Sequence, residues 1–105
     1  MPQTMQILSV EPTVLFVRDG DKLRQLAELS LENRGDRAEA SLLVRTHTYE
    51  ERFPLGTVPP GRSSHRVHVA EVQQSETLRF ELYVGDALSD ERAVTWEPQR
   101  HWEVY

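Results

Sequence analysis

Residues 78–84 read Leu-Arg-Phe-Glu-Leu-Tyr-Val. Leu78, Phe80, Leu82 and Val84 alternate with Arg79, Glu81 and Tyr83. Successive side chains of a strand point to opposite faces, so this stretch has one apolar face and one wet face. At helical spacing the same apolar groups would scatter around the axis. A strand of this kind must bury its apolar face. The rest of the chain is read as the material that covers it, and Phe80 as an aromatic the core cannot spare.

The cover comes in short pieces separated by turn chemistry. Residues 5–10 and 14–17 read as two strand pieces. Pro12 between them cannot donate a ladder bond, so it marks an edge or a bend. Asp19-Gly20-Asp21 is a turn. Residues 23–33 form the next strand, with Ala27, Leu29 and Leu31 on one face and Glu28, Ser30 and Glu32 on the other. Asn33-Arg34-Gly35-Asp36 then turns the chain. It contains Arg-Gly-Asp, a tripeptide that integrins bind, but its residue types are first those of a polar turn. Residues 39–50 carry Leu42 and Val44 on one face and Arg45 and His47 on the other. Leu43 breaks the alternation, which predicts cover on both faces. A helix over 36–45 is the competing reading, and Thr46-His47-Thr48-Tyr49 favours the strand. Residues 52–58 are a weaker strand interrupted by Pro54 and ended by Pro59-Pro60-Gly61. Residues 66–72 follow, with Val67 and Val69 on one face and, because the phase shifts at Val72, a bulge or a strand end near Ala70. Residues 85–90 are a hairpin loop, and residues 92–96 close the set with Val94 and Trp96 inward.

About seven short antiparallel strands with turn signals at this spacing predict an all-β sandwich of the immunoglobulin or fibronectin III kind over residues 1–98. A chain of 105 residues holds one such core. Its net charge of −5 argues against nucleic acid and against an anionic membrane surface. No stretch approaches the roughly 20 apolar residues of a membrane helix. The first residues lack the basic and apolar regions of a signal peptide, so a cytoplasmic location is expected if Met1 is the native start. There is no cysteine, hence no disulfide.

The chemistry-bearing residues do not assemble into a catalytic motif. His65 and His68 are an odd number of residues apart, so a strand points them to opposite faces and they cannot chelate one ion. His47 and His101 stand alone. No metal and no cofactor is expected. The pairs Glu50 and Glu51, Asp90 and Glu91, and Asp19 and Asp21 lack the cleft that glycoside hydrolysis needs. Ser63-Ser64-His65 puts a hydroxyl beside an imidazole without an orienting acid or an oxyanion hole. The chain by itself is therefore not expected to be an enzyme. Sugar binding needs less: an exposed aromatic face with polar groups at its rim. Tyr83 points away from the core by alternation, and Tyr49 is the second candidate. The favoured reading of each tyrosine is nonetheless as cover for a neighbouring strand.

Residues 94–105 read Val-Thr-Trp-Glu-Pro-Gln-Arg-His-Trp-Glu-Val-Tyr. Pro98 ends the last sandwich strand, and residues 99–105 open a linker or strand leading towards a further domain. Trp102, Val104 and Tyr105 are the expected interdomain contacts. Trp96, Pro98, Arg100 and Trp102 form a Trp-x-Pro-x-Arg-x-Trp pattern. This resembles the junction between a small N-terminal sandwich and the catalytic barrel in large bacterial proteins similar to glycoside hydrolase family 38, the α-mannosidase family. The turns at Asn33-Arg34-Gly35-Asp36 and Pro59-Pro60-Gly61 suit those sandwiches, and also many unrelated ones. The resemblance implies a parent that performs retaining glycoside hydrolysis with a catalytic aspartate and a zinc ion. The family's His-x-His-x-Asp-x-Gly motif does not occur in this sequence, so no catalytic or metal residue carries over. The expectation is a non-catalytic accessory domain whose partner is a downstream catalytic domain of the same polypeptide. The alternatives are a carbohydrate-binding module using Tyr83 and Tyr49, and a protein-interaction sandwich that self-associates through an open edge strand.

Overall fold

The computed structural model describes residues 4–99 and the backbone of Glu103 and Val104. The alternating stretch singled out above is the strand β6 (Glu76–Val84). In chain order the other strands are β1 (Met5–Asp19), β2 (Lys22–Asn33), β3 (Ala38–Arg45), β4 (Glu50–Val58), β5 (Gly61–Ala70), β7 (Ala87–Trp96) and β8 (Glu103–Val104). One sheet has the order β4-β3-β6-β7 and the other β5-β2-β1-β8. Every pairing is antiparallel except that of β8, which runs parallel to β1. The chain changes sheet after β2, β4, β5 and β7. This is a fibronectin-like β-sandwich with one short added strand. Among the described residues no helix is long and apolar enough to cross a membrane.

The inward faces pack as alternation demands. Leu78, Phe80 and Leu82 meet Leu29, Leu31, Leu42 and Trp96, all fully buried. Each such side chain contributes roughly 1.5–3 kcal/mol on burial. The rings of Phe80 and Trp96 lie 5.7 Å apart at 47°. Trp96 also anchors a polar tie between the sheets. Its Nε1 donates to Oε1 of buried Gln25 at 2.9 Å, and Gln25 Nε2 donates to the Thr13 carbonyl at 2.7 Å. A buried amide is tolerated when its groups are paired in this way.

The strand reading of residues 36–45 prevails over the helix. β3 is paired on both sides, to β4 and β6, so every turn of helix would cost two ladders. Leu43 is buried on the outer face, as its break in the pattern predicts. Other boundaries differ from expectation. Residues 46–49 form a turn, not strand: Thr46 Oγ1 accepts from the amides of Thr48 and Tyr49, each at 3.1 Å, and local bonds of this kind outcompete strand propensity. β1 runs unbroken through Pro12, which pairs with Ala27 on one side only, and the register shift between Pro12 and Phe16 supplies the bend. β5 starts at Gly61 rather than residue 66. The last hairpin loop shrinks to Gly85 and Asp86, because Gly85 takes a φ of 59° and closes a two-residue turn.

The free edges are treated unequally. Among the described residues no strand lies on the outer side of residues 5–8 of β1, and side chains of β7 fill that role. Ser89 Oγ donates to the Met5 carbonyl at 2.6 Å and accepts from its amide at 3.2 Å. Asp90 Oδ2 accepts from the Ile7 amide at 2.8 Å. Arg92 donates to the carbonyls of Leu8 at 2.8 Å and Ile7 at 2.9 Å.

Candidate functional site

One concavity lies at an end of the sandwich. The β1–β2 turn, the β3–β4 turn and the end of β5 meet there around a hollow of about 260 Å³. Arg24 organises it. The β2 register sets Arg24 opposite Ala70 of β5, within reach of both sheets. Its guanidinium grips Glu51 of β4 with two bonds of 3.0 and 2.9 Å, meets Asp19 at 3.1 Å and donates to the His68 carbonyl at 2.7 Å. Fork-to-carboxylate pairing of this kind fixes direction as well as charge. The Glu51 bond raises the Arg24 pKa, burial acts against it, and Asp19 adds to it. Four bonds leave this cation little capacity for an outside anion.

Tyr49 closes the hollow on the β3–β4 side. Its ring is half-buried, and its hydroxyl is buried without a hydrogen bond of good geometry. Burial, then the charges of Glu51 and Glu76, push the phenol up, while Arg24 and the Ala70 amide act the other way. Glu76 Oε1 is likewise buried without a hydrogen bond, and the nearby His47 Nδ1 stands 3.7 Å away, too far for one. The hollow thus offers an aromatic ring and the carboxylates of Asp19 and Glu51. That set can accept hydrogen bonds from a small polyhydroxylated molecule. The volume is a little below the roughly 300–1,000 Å³ of typical ligand pockets.

Tyr83 sits elsewhere, on the outer face of the β4-β3-β6-β7 sheet. Its hydroxyl donates to Glu81 Oε1 at 2.8 Å, and this bond raises the phenol's pKa. The Arg52 guanidinium lies 4.9 Å from the ring centroid and occupies one face. Glu81, nearly buried, also pairs with Arg45 at 3.3 Å. The two tyrosines are not brought together. Tyr83 is opposite Ser41, whereas Tyr49 lies beyond Arg45. The four residue steps from Ser41 to Arg45 alone separate them by about 13 Å along the strand.

No protein-family model matches the chain, and its sequence finds no match among curated proteins.

The remaining sequence candidates fall as follows. Trp102, Tyr105 and His101 lie outside the described residues. The backbone of Val104 pairs with Phe16, and that of Glu103 with Leu15. Among the described residues no group of three His, Asp or Glu side chains is placed to hold a metal. His65 is half-buried against Ser63, whose hydroxyl is 2.8 Å from Nε2, while His68 is exposed on the other face of β5. The Arg34-Gly35-Asp36 turn is strapped down. Buried Asn33 donates to the carbonyls of Asp36, Val58 and Pro59 at 3.0, 3.2 and 3.3 Å, and accepts from the Gly35 amide at 2.9 Å. Arg34 itself pairs with Glu32 at 2.8 Å. Sequence reasoning missed Arg24 and Glu51. They are far apart in the chain, and no spacing rule links β2 to β4.

Proposed function

We propose that this chain is a non-catalytic accessory sandwich of an α-mannosidase-like glycoside hydrolase, where it packs against a C-terminal catalytic domain and orients it. The parallel pairing of β8 with β1 carries this reading. After Trp96 the chain leaves the β7 sheet, passes Pro98 and pairs into the opposite sheet. A segment hydrogen-bonded into a sheet leaves in a set direction, whereas a polar linker wanders as a coil. The Trp96, Pro98, Arg100 and Trp102 pattern supplies the class of neighbour. The test is the reading frame beyond residue 105, expressed with and without residues 1–98. The extended protein should hydrolyse an aryl α-mannoside, residues 1–105 alone should not, and removing the sandwich should lower the melting temperature of the remainder. A frame that stops at Tyr105, or continues without a His-x-His-x-Asp motif, overturns the proposal.

Glycan binding is the second reading, and the hollow beside Tyr49 favours it. Titration with mannose oligosaccharides should then show binding that Tyr49→Ala abolishes and Tyr83→Ala spares, since Arg52 already occupies one face of the Tyr83 ring. Absence of binding at millimolar sugar rejects this reading.

A further inference from the structure

β5 is the one long strand whose outer edge the described residues leave largely unoccupied. It makes ten consecutive register pairs with β2 without a shift, and it contains no proline. The other edges are broken or covered. β4 carries Pro54 and a register shift. β7 carries a register shift and turns Asp90 and Arg92 towards β1. β1 is covered by β8 at Leu15 and Phe16 and by β7 side chains at residues 5–8. Among the described residues, the outside groups that engage the β5 backbone gather at its end, where Arg24 donates to the His68 carbonyl and the Ala70 amide faces the Tyr49 hydroxyl. A regular unpaired edge is a template for another strand.

The side chains of β5 say what kind of strand fits. Its outer face presents Arg62, Ser64, Arg66 and His68, and the side chains of Arg62 and Arg66 are 78% and 65% exposed. Their carboxylate partners, Glu32 at 3.4 Å and Glu28 at 3.6 Å, belong to β2, on the inner side of the edge. The solvent side has none from β5 itself, because the strand contains no acidic residue. The inward row is Ser63, His65, Val67 and Val69, uncharged or weakly basic. A second copy of β5 would set guanidinium beside guanidinium, and like charges across a ladder repel. An incoming strand with carboxylates on one face and small apolar groups on the other meets both rows.

We propose that β5 is a docking edge that takes up an extended, acidic, alternating segment of a partner polypeptide by strand addition. This stands independently of the accessory-domain reading, because it needs neither a downstream domain nor a glycan. The probe is a fluorescent peptide as long as β5, 10 residues, alternating Glu with Val or Thr. It is titrated against the 105-residue protein at low ionic strength. Two controls accompany it: the same peptide with Lys for Glu, and the Glu peptide N-methylated at alternate residues. The Glu peptide should bind about tenfold or more tightly than either control, because one lacks the charge and the other the ladder donors. The double variant Arg62→Glu, Arg66→Glu should reverse the charge preference, with an unchanged melting curve confirming that it folds. Amide exchange should slow within β5. Equal binding of the N-methylated peptide, protection of a different edge, or no preference for Glu over Lys overturns the proposal.

Discussion

The sandwich has two open sides, and each sets an edge strand of one sheet over an edge strand of the other. On the β1–β7 side, inward and polar positions of β7 hold Ser89, Asp90 and Arg92, and all three bond to the exposed backbone of β1. On the β4–β5 side, Ser63 and His65 bond to each other, and β4 answers with half-buried Phe53 and Leu55. The first side is closed by side chains doing the work of a missing strand. The second is tied towards its two ends, by Arg24 to Glu51 and by Asn33 to the Val58 carbonyl, and its β5 ladder groups between them meet no side chain from β4. Polar residues at an edge therefore have two uses. They close it only when they reach the backbone across the gap.

The comparison can be broken from beneath first. Phe80 supports both sides from the core, fully buried against Trp96. Phe80→Ala should cost about 3–5 kcal/mol and leave the domain mostly unfolded. A sharp melting transition at the parent temperature would contradict the assignment of the inward face.

The next test separates the two sides. The double variant Asp90→Ala, Arg92→Ala removes three bonds from the backbone of Ile7 and Leu8. Ile7 is 2% exposed, so its stranded amide and carbonyl gain little water in exchange. A loss of about 2–4 kcal/mol is expected, after allowing for the exposure of Arg92. Self-association in sedimentation should accompany it, since β1 then offers a raw edge. Ser89→Ala should cost less, about 1–2 kcal/mol, through the amide and carbonyl of Met5. The matched change on the other side, Arg62→Ala with Arg66→Ala, should shift stability by no more than about 0.5 kcal/mol, because these exposed arginines hold no backbone. Equal losses on the two sides in denaturant titrations would erase the distinction.

Much of this architecture was legible in the chain. Alternation in β2 and β6 named the inward residues Ala27, Leu29, Leu31, Leu78, Phe80 and Leu82, all of which are buried. Pro12 signalled an edge, and Ala70 the end of β5. Counting back in twos from Trp96 also brings Arg92 and Asp90 to inward positions. Charge at an inward position near a strand end is a legible sign of an edge under control, although its target, the backbone of residues 5–8, is not. Bonds of this kind join residues more than 80 positions apart. The Arg24–Glu51 grip at the candidate site was hidden for the same reason: register across sheets comes from topology, which no local pattern encodes. The turn at residues 46–49 was misjudged because Thr is both a strand former and a local acceptor, and the second role won.

The subtlest difference between the two sides is one of pH. Neither β1 nor β7 contains a histidine, whereas β5 places His65 in a half-buried inward position. Burial lowers its pKa below the ordinary 6.5. The unfolded chain then binds this proton more readily than the folded one, so stability rises with pH across that window. Read downwards, the stability that neutral His65 preserves is intact above pH 6.5, drains as pH falls below it, and levels off beneath the folded value. Glu32 acts in a separate window. Arg34 first, then Arg62, holds its carboxyl below the ordinary 4.5. Its contribution is present above that pH and is lost as pH falls through the folded value. His65→Gln should flatten the stability curve just below pH 6.5 and leave the acid limb, and Glu32→Gln should do the reverse. A slope near pH 6 that survives His65→Gln would move the titrating group away from the inward face of β5, and with it the claim that this face senses mild acid.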